Sequence, residues 1–291
     1  MLKRRKKLDG VQLASVILLT ITAIVIFVPF WNAVVISFES SKGYAEHPFS
    51  WWPTEFTLNN YKYLIQKWDI LALAYKGTII LTVVGTLSGM IVSVMTAYVF
   101  SRKFPGKKFF FMLMLFTMFF GGGLIPTFLQ FKNMGLMNTY FAVIMVGFVS
   151  THNVIIMKNG FESVPMELQE AAMIDGANDF QIFAKVMLPL QKPLIATFSL
   201  FTMVGYWNSW YWPMLLMNGG DKTVLQLYLK NYVSNIDSEI LHDTAVLLQG
   251  NEFSQGIRMA AVFVVMLPIM LVYPFLQKYF TKGIMVGAVK M

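Results

Sequence analysis

Few residues of this 291-residue chain have the types and the spacing that catalysis requires. The three histidines, His47, His152 and His242, lie far apart and form no pattern typical of a metal-binding or catalytic motif. The chain has no cysteine, which excludes disulfides, thiolate metal sites and cysteine nucleophiles. The Gly-Lys pair at 106–107 is followed by Lys108 instead of Ser or Thr, so it is not a phosphate-binding loop. We therefore predict no catalytic residue, no bound metal and no cofactor held by this chain.

The most informative spacing lies in residues 163–193, an amphipathic stretch between two apolar segments. Pro165 suits the first turn of a helix, where a missing N–H costs nothing. Asn178 predicts the N-cap of a second helix, because Gln181 follows three residues later as in a capping box. The two helical patterns meet at Gly176, so the stretch predicts two helices joined by a glycine turn. We call residues 163–193 the elbow.

Large apolar side chains occur along both helices of the elbow. Phe180, Phe183 and Met187 recur at i, i+3 and i+7, which places them on one helical face. Pro189 is expected to stop the second helix, because proline has no N–H to continue it. In the first helix three apolar residues are available for packing: Met166, Leu168 and Ile174.

The elbow resembles the cytoplasmic loop of ABC importer permeases. The resemblance rests on Glu-Ala-Ala, a glycine four residues later and, after nine more residues, Val-x-Leu-Pro: Glu170, Ala171, Ala172, Gly176, Val186, Leu188 and Pro189. Valine replaces the more usual isoleucine. In that family the loop forms a coupling helix that docks into a cleft of the ATPase subunit. The resemblance implies coupling roles for nine residues: Glu170, Ala171, Ala172, Asp175, Gly176, Phe180, Phe183, Met187 and Pro189. From the residues alone, the alternative is an interfacial amphipathic helix between two membrane spans.

The composition is that of a membrane protein. Hydrophobic residues make up 56% of the chain and charged residues 13%, against roughly 25% charged residues in soluble domains. A net charge of +8 is compatible with nucleic-acid binding, but the basic residues occur in short runs beside apolar segments. This placement indicates control of membrane topology and not a nucleic-acid surface.

Six apolar segments are long enough to cross a bilayer, which needs about 20 apolar residues. We therefore predict an all-α polytopic membrane protein, a single transmembrane domain over residues 1–291 with the elbow between its fourth and fifth spans. The predicted spans are about 11–37, 77–100, 109–129, 137–157, 194–216 and 259–276.

The distribution of lysine and arginine predicts the orientation. Fifteen of the 23 basic residues fall on the side of the two termini and the elbow, and six fall on the opposite side. The remaining two, Lys76 and Arg258, lie at span edges. By the positive-inside rule, both termini and the elbow are predicted to be cytoplasmic.

A second group of residues could line a path for a solute. The run from Trp207 to Trp212 brings four aromatic residues and an amide to the outer half of the fifth predicted span. Aromatic faces beside an amide suit a sugar ring, and polar groups within a span tend to face a cavity. Gly122 and Gly123 in the third span allow close helix packing, which we favour, or an unwound segment beside a transport site. The path candidates are Trp207, Asn208, Trp210, Tyr211, Gly122 and Gly123; an aromatic belt with packing is the alternative for the tryptophans.

The resemblance extends over nearly the whole chain to the second, six-span permease subunit of carbohydrate importers of the maltose-system type. Four segments carry it: residues 56–61, 97–102, 133–139 and 282–290. Residues 122–126 and 207–209 resemble a branch that handles oligosaccharides or polysaccharide fragments. Residues 223–226 depart from the expected Pro-Leu-Gln.

The resemblance implies an assembly in a bacterial cell membrane. Its expected partners are a second related permease, two ATPase subunits that bind ATP and Mg, and an extracytoplasmic sugar-binding protein. No nucleic acid is expected. The alternatives are an ABC permease for a solute other than sugar, or a secondary transporter. The second would need ionisable residues for ion coupling, and the predicted spans contain no Asp or Glu.

Overall fold

The computed structural model describes residues 9–217, 222–242 and 253–288. These residues form helices joined by loops, with one isolated antiparallel bridge between Glu39 and Phe56. The basic cluster at 3–7 and Lys290, used above for topology, lie outside the described residues. The helices are α1 Gly10–Ser37, α2 Ser41–Glu46, α3 Asn59–Gln66, α4 Trp68–Ser101, α5 Lys107–Phe119, α6 Leu124–Asn133, α7 Tyr140–Val146, α8 Thr151–Glu162, α9 Met166–Ile174, α10 Asp179–Ile182, α11 Leu188–Leu190, α12 Lys192–Trp207, α13 Tyr211–Leu216, α14 Leu225–His242 and α15 Ser254–Ala288.

Three of the described helices are long and apolar enough to cross a membrane by themselves: α1, α4 and the Ser254–Val272 part of α15. α4 has 34 residues, so at 1.5 Å per residue it is about 51 Å long. It begins nine residues before the predicted second span at 77, because the mostly apolar residues 68–76 are helical despite the charges of Asp69 and Lys76. α15 likewise extends the sixth predicted span at both ends.

Three further pairs of consecutive helices are apolar enough to cross only when taken together, and each pair is sharply bent. α5 and α6 meet at 110°, α7 and α8 at 60°, and the Asp179–Leu190 segment meets α12 at 78°. The third and fourth predicted spans are therefore broken helices. Six spans remain a prediction, which counts each bent pair as one crossing.

The break between α5 and α6 is the glycine run. Gly123 has φ of +80°, a backbone conformation that side chains other than glycine adopt at a cost. Among the described residues, no atom lies within 4 Å of where a Cβ on Gly121 or Gly123 would be, and a Cβ on Gly122 would meet only Pro126, at 3.5 Å. The run is an unwound segment within this chain, and the part that Gly122 and Gly123 play beside a solute path stays a prediction.

The chain divides into two compact units, one of which combines residues up to Trp68 with residues 231–267. A buried Glu39 organises its loop by accepting hydrogen bonds from the backbone N–H groups of Thr54 and Glu55, at 2.7 and 2.8 Å. Asn60 donates to the carbonyl oxygens of Ser37 and Glu39, both at 3.0 Å. These bonds satisfy backbone groups that the end of α1 and the loop would otherwise leave unpaired.

The other unit comprises residues 69–230 and the chain from Pro268 onward, and it contains the elbow. One of its buried clusters joins α4, α8, the elbow and α12; another joins α4, α7, α12 and α13. α4 approaches the break between α7 and α8 so closely that a Cβ on Gly89 would lie 2.5 Å from the backbone oxygen of Phe148. Gly89 is therefore required by packing, as a real Cβ contact of this length does not occur.

Candidate functional site

The turn of the elbow is built from local backbone hydrogen bonds. Asp175 is the last residue in helical register, and Gly176 follows with φ of +81°. The N–H of Gly176 bonds the carbonyl of Met173 at 3.0 Å, and that of Ala177 bonds the carbonyl of Ala172 at 2.9 Å. These two bonds define a Schellman motif, in which glycine is the usual left-handed residue.

The second helix of the elbow starts as the sequence predicts. The side chain of Asn178 accepts from the N–H of Gln181, and the side chain of Gln181 accepts from the N–H of Asn178, both at 2.9 Å. The helix then widens into one π turn at Phe183–Met187. Only Leu188 separates this turn from Pro189, whose ring would clash with the carbonyl four residues earlier in a regular helix. The helical run continues past Pro189 to Leu190, so it ends one residue later than predicted.

The three apolar residues assigned to one face of the second helix have different environments. Phe180 is 72% exposed, Phe183 is half-buried against the ring of Tyr98 at 4.7 Å, and Met187 is fully buried. Phe180 is thus available to a partner, whereas Met187 belongs to the core of this chain. Pro189 and the neighbouring Lys192 border an apolar cavity of about 650 Å³.

The first helix of the elbow also exposes apolar side chains, which the sequence analysis described as available for packing. Ile174 is 86% exposed, and three further residues are exposed as well: Met166, Leu168 and Met173. Because burial of large apolar groups is favourable, such a concentration beside a polar turn is a candidate surface for contact with another protein or with the membrane. The elbow therefore presents an apolar surface at both sides of Gly176.

Two acidic residues of the elbow are exposed and available to another chain. Glu170 and Asp175 lie on the surface, as does Ala171, while Ala172 is half-buried against the core. Neither carboxylate takes part in the ion pairs formed by the described residues. Glu170 can therefore pair with a basic group supplied by another chain.

Arg102, at the end of α4, ties the elbow to the rest of the unit. Its Nη2 lies 3.4 Å from Oδ1 of Asp179, and its guanidinium lies over the ring of Tyr98 at 5.6 Å. Five residues further on, Lys107 pairs with Glu162 of α8 at 3.2 Å. The loop after α4 is thus connected by ion pairs to both α8 and the elbow.

A cavity of about 630 Å³ lies where this loop meets the start of α9. It is bordered by Arg102, Lys103, Glu167 and Gln169 among others. Gln169 is buried, and its Oε1 has no hydrogen-bond partner within the described part of the chain. A buried carbonyl oxygen without a donor is unfavourable, so this cavity is a second surface that a donor from a partner could complete.

The aromatic run at 207–212 is divided by a helix end. α12 stops at Trp207, and α13 starts at Tyr211. Asn208 accepts from Nε2 of Gln226 at 3.2 Å, and the ring of Trp210 lies 4.3 Å from Nζ of Lys230. Trp210 and Tyr211 are exposed, and the indole N–H of Trp207 is buried with no partner among the described residues.

None of the six path candidates from the sequence lines the cavity that forms beside this run. That cavity, of about 340 Å³, lies between the break of α7 and α8 and the second half of α12. We call it the midchain cavity. Its polar and aromatic lining includes Ser150, Asn153, Thr202, Tyr206, Ser209 and Trp212. The six path candidates therefore stay a prediction, and the cavity adds neighbouring residues to them.

Within the described residues, no group of three or more His, Asp or Glu side chains is arranged to hold a metal ion. Three features could bind other molecules: the apolar surface of the elbow, its exposed acidic groups and the midchain cavity. These features can form a binding surface and a cavity for a small ligand.

Comparison with known proteins decides the family. A family model described as "Binding-protein-dependent transport system inner membrane component" matches residues 89–286. The chain belongs to this family. It is therefore a multi-pass permease of an ABC importer and not its ATPase. The match covers the elbow and the midchain cavity but begins after α1–α3.

Two relatives and one solved structure are similar over almost the whole chain. The polygalacturonan/rhamnogalacturonan transport system permease protein of Bacillus subtilis is 38% identical over 92% of this chain and 94% of its own. The diacetylchitobiose uptake system permease protein of Streptomyces coelicolor is 29% identical over 93% of this chain and 86% of its own. The crystal structure of a bacterial ABC transporter involved in import of the acidic polysaccharide alginate matches with a TM-score of 0.85 and 30% identity, over 96% of this chain and 99% of the other.

Sequence reasoning missed several residues that the structure brings to these sites. Arg102 belongs to a segment noted only for its resemblance to carbohydrate permeases, and its partner Asp179 is 77 residues away. Asn153 had no signal of its own, because a single polar residue in an apolar stretch does not reveal which side it faces. Ser209 lay in the stretch 207–209 noted for its resemblance but was not among the path candidates. Trp212 was part of the aromatic run but could not be separated from its neighbours.

Proposed function

We propose that this permease forms half of the translocation path for an oligosaccharide or a polysaccharide fragment, driven by ATPase subunits that dock on its elbow. The observation that carries the proposal is the elbow, whose rigid turn presents Ile174 and Phe180 to the outside while Met187 anchors it to the core. A surface of this kind needs a protein partner, and a permease of this family has its ATPase in a separate chain.

The proposed assembly contains a second related permease, two ATPase subunits and an extracytoplasmic sugar-binding protein. ATP and Mg are bound by the ATPase subunits. The elbow and both termini face the cytosol in a bacterial cell membrane, in keeping with the basic residues of that side. Counting each bent pair as one crossing gives the six spans that this orientation requires.

Movement of the ATPase can reach the path through the contacts of the elbow. Phe183 packs on Tyr98 of α4, and Asp179 pairs with Arg102 at the end of the same helix. Gln191, at the junction with α12, donates from Nε2 to the carbonyl of Gly160 in α8 at 2.8 Å. Because α8 and α12 also border the midchain cavity, pulling on the elbow would shift two of its walls, as expected for rigid-body rocking.

The class of solute rests on the relatives and on the chemistry of the path. The names of the two relatives refer to saccharides, and the solved transporter imports a polysaccharide. The midchain cavity combines aromatic faces with hydroxyl and amide groups, which is the chemistry that binds sugar rings. A secondary transporter is disfavoured by the lack of Asp and Glu in the predicted spans.

Two substitutions on the elbow test the docking role. Phe180→Ala removes an exposed ring, so the permease should keep its thermal stability but lose affinity for the ATPase. Met187→Ala is the control, because it removes a buried side chain and should destabilise the permease by about 2–5 kcal/mol. The measurements are the melting temperature of the purified permease and its co-purification with the ATPase subunits.

Reconstitution tests the function as a whole. Liposomes that contain both permeases and the ATPase should take up saccharide only with ATP inside and the binding protein outside. Uptake by this chain alone, without nucleotide, would contradict the proposal. So would unchanged uptake and ATPase binding in the Phe180→Ala variant.

A further inference from the structure

We infer that this subunit contacts the solute directly, at the midchain cavity, and that it holds one sugar ring there through uncharged groups. The inference rests on the proposed function and adds to it a site and a mode of recognition. It places the contact with the solute at Asn153, Ser209 and Trp212, and not at the exposed residues Trp210 and Tyr211.

The position of the cavity is set by interruptions in the helices. α7 ends at Val146 and α8 starts at Thr151, so four residues between them are not helical. On the other side, α12 ends at Trp207 and Ser209 lies in the gap before α13. Broken helices in membrane transporters leave backbone and side-chain polar groups beside a water-filled space. Both walls of the midchain cavity have this character.

The polar groups of the cavity are available to a ligand. Within the described ranges, the side chains of Asn153, Ser209 and Trp212 make no hydrogen bond. Ser150 accepts from the N–H of Asn153 through its oxygen and keeps its own hydrogen to donate. Together they offer donors and acceptors at the rim, and the ring of Trp212 offers an apolar face. A sugar has the complementary arrangement, with hydroxyl groups at its edge and C–H groups on its face.

The size and the charge of the cavity define what it takes. Its volume of about 340 Å³ lies at the lower end for ligand sites, so it admits a single ring of a longer chain at a time. Among the residues that the structure describes, no Lys, Arg, Asp or Glu lines it. The subunit therefore recognises hydroxyl groups and does not select for or against a carboxylate, although alginate, the cargo of the solved transporter, is acidic.

The absence of native cysteine makes a direct test possible. Ser209→Cys and Asn153→Cys would each introduce a single thiol into this chain, within the full complex of permeases, ATPase and binding protein. Ser88→Cys, on α4 and outside the cavity lining, is the matched control. The labelling rate of each thiol by a membrane-impermeant methanethiosulfonate is measured during ATP turnover, with and without an oligogalacturonate mixture or a malto-oligosaccharide mixture.

The two cavity thiols should react, and the imported saccharide should slow their labelling at least about fivefold at a concentration about four times its dissociation constant, because only the unoccupied site reacts. The Ser88→Cys rate should not respond to saccharide. If the same preparation imports the saccharide while both cavity rates stay unchanged by it, the inference is wrong and the proposed function stands. If the wild-type complex imports neither mixture, the proposed function fails and the inference fails with it.

Discussion

The elbow depends on one backbone angle, and substitution of Gly176 measures that dependence. Its φ is +81°, and no atom of the described residues lies within 4 Å of where a Cβ would be. A substituted side chain would therefore meet no steric obstacle from its surroundings. The whole effect must come from the left-handed backbone conformation, which costs about 1–2 kcal/mol for a residue with a Cβ.

This cost should appear as weaker binding of the ATPase. A turn that is less stable by about 1–2 kcal/mol lowers the population of the docking conformation, and each 1.4 kcal/mol is about tenfold in affinity. We expect Gly176→Ala to weaken ATPase binding by about fivefold to thirtyfold. Gly176→Asn should weaken it less, because asparagine tolerates this conformation, and Gly176→Val more, because a β-branched residue does not.

The assay is the dissociation constant of the ATPase for the permease in nanodiscs, with the melting temperature of each permease variant measured in parallel. Gly121→Ala is the matched control, since its Cβ would also meet open space but its φ is not in the left-handed range. Equal affinities for the glycine, asparagine, alanine and valine forms would refute the reasoning. A loss of affinity in the control of the same size would also refute it.

Three other substitutions have outcomes that follow from single contacts. Gly89→Ala should lower the melting temperature markedly, because its Cβ would press on the backbone oxygen of Phe148, whereas Gly205→Ala in α12, with open space around it, should not. Glu39→Ala should destabilise the loop of its unit by at least ~1.5 kcal/mol, because the hydrogen bonds to two backbone N–H groups are lost. Glu39→Gln should retain part of that stability. Hydrogen exchange of the loop measures both effects. Arg102→Ala should cost less than ~2 kcal/mol in thermal unfolding, because its partner Asp179 is exposed to solvent, yet it should lower ATP-driven uptake if the ion pair transmits movement.

The elbow shows how far local sequence can define a structure. The glycine turn and the capping box at Asn178 were both predicted, and both are confirmed by bonds between residues at most five apart. Such bonds depend only on which residue types stand next to one another. The exposure of Phe180 and Met187 was not predictable in this way, because the helical pattern put both on one face and the π turn and the packing of α4 separated them.

The broken helices show the opposite case. Hydropathy counts apolar residues and gave continuous spans at 109–129 and 137–157, whereas the chain bends there by 110° and 60°. A glycine run is compatible both with close packing and with an unwound segment, and only the surrounding atoms decide between the two. The start of α4 at Trp68 was missed because the charged Asp69 and Lys76 interrupt the apolar pattern without ending the helix.

The amino-acid sequence determined the helical membrane class, the family resemblance and the local geometry of the elbow, since these follow from composition and from contacts between near neighbours. Tertiary structure alone decided which side chains face a partner, which face the midchain cavity and which are core. The structure brings together residues that are far apart in the chain. Arg102 pairs with Asp179, and Asn153 and Ser209 line the same cavity. Their proximity depends on how whole helices pack, and no local pattern specifies that packing.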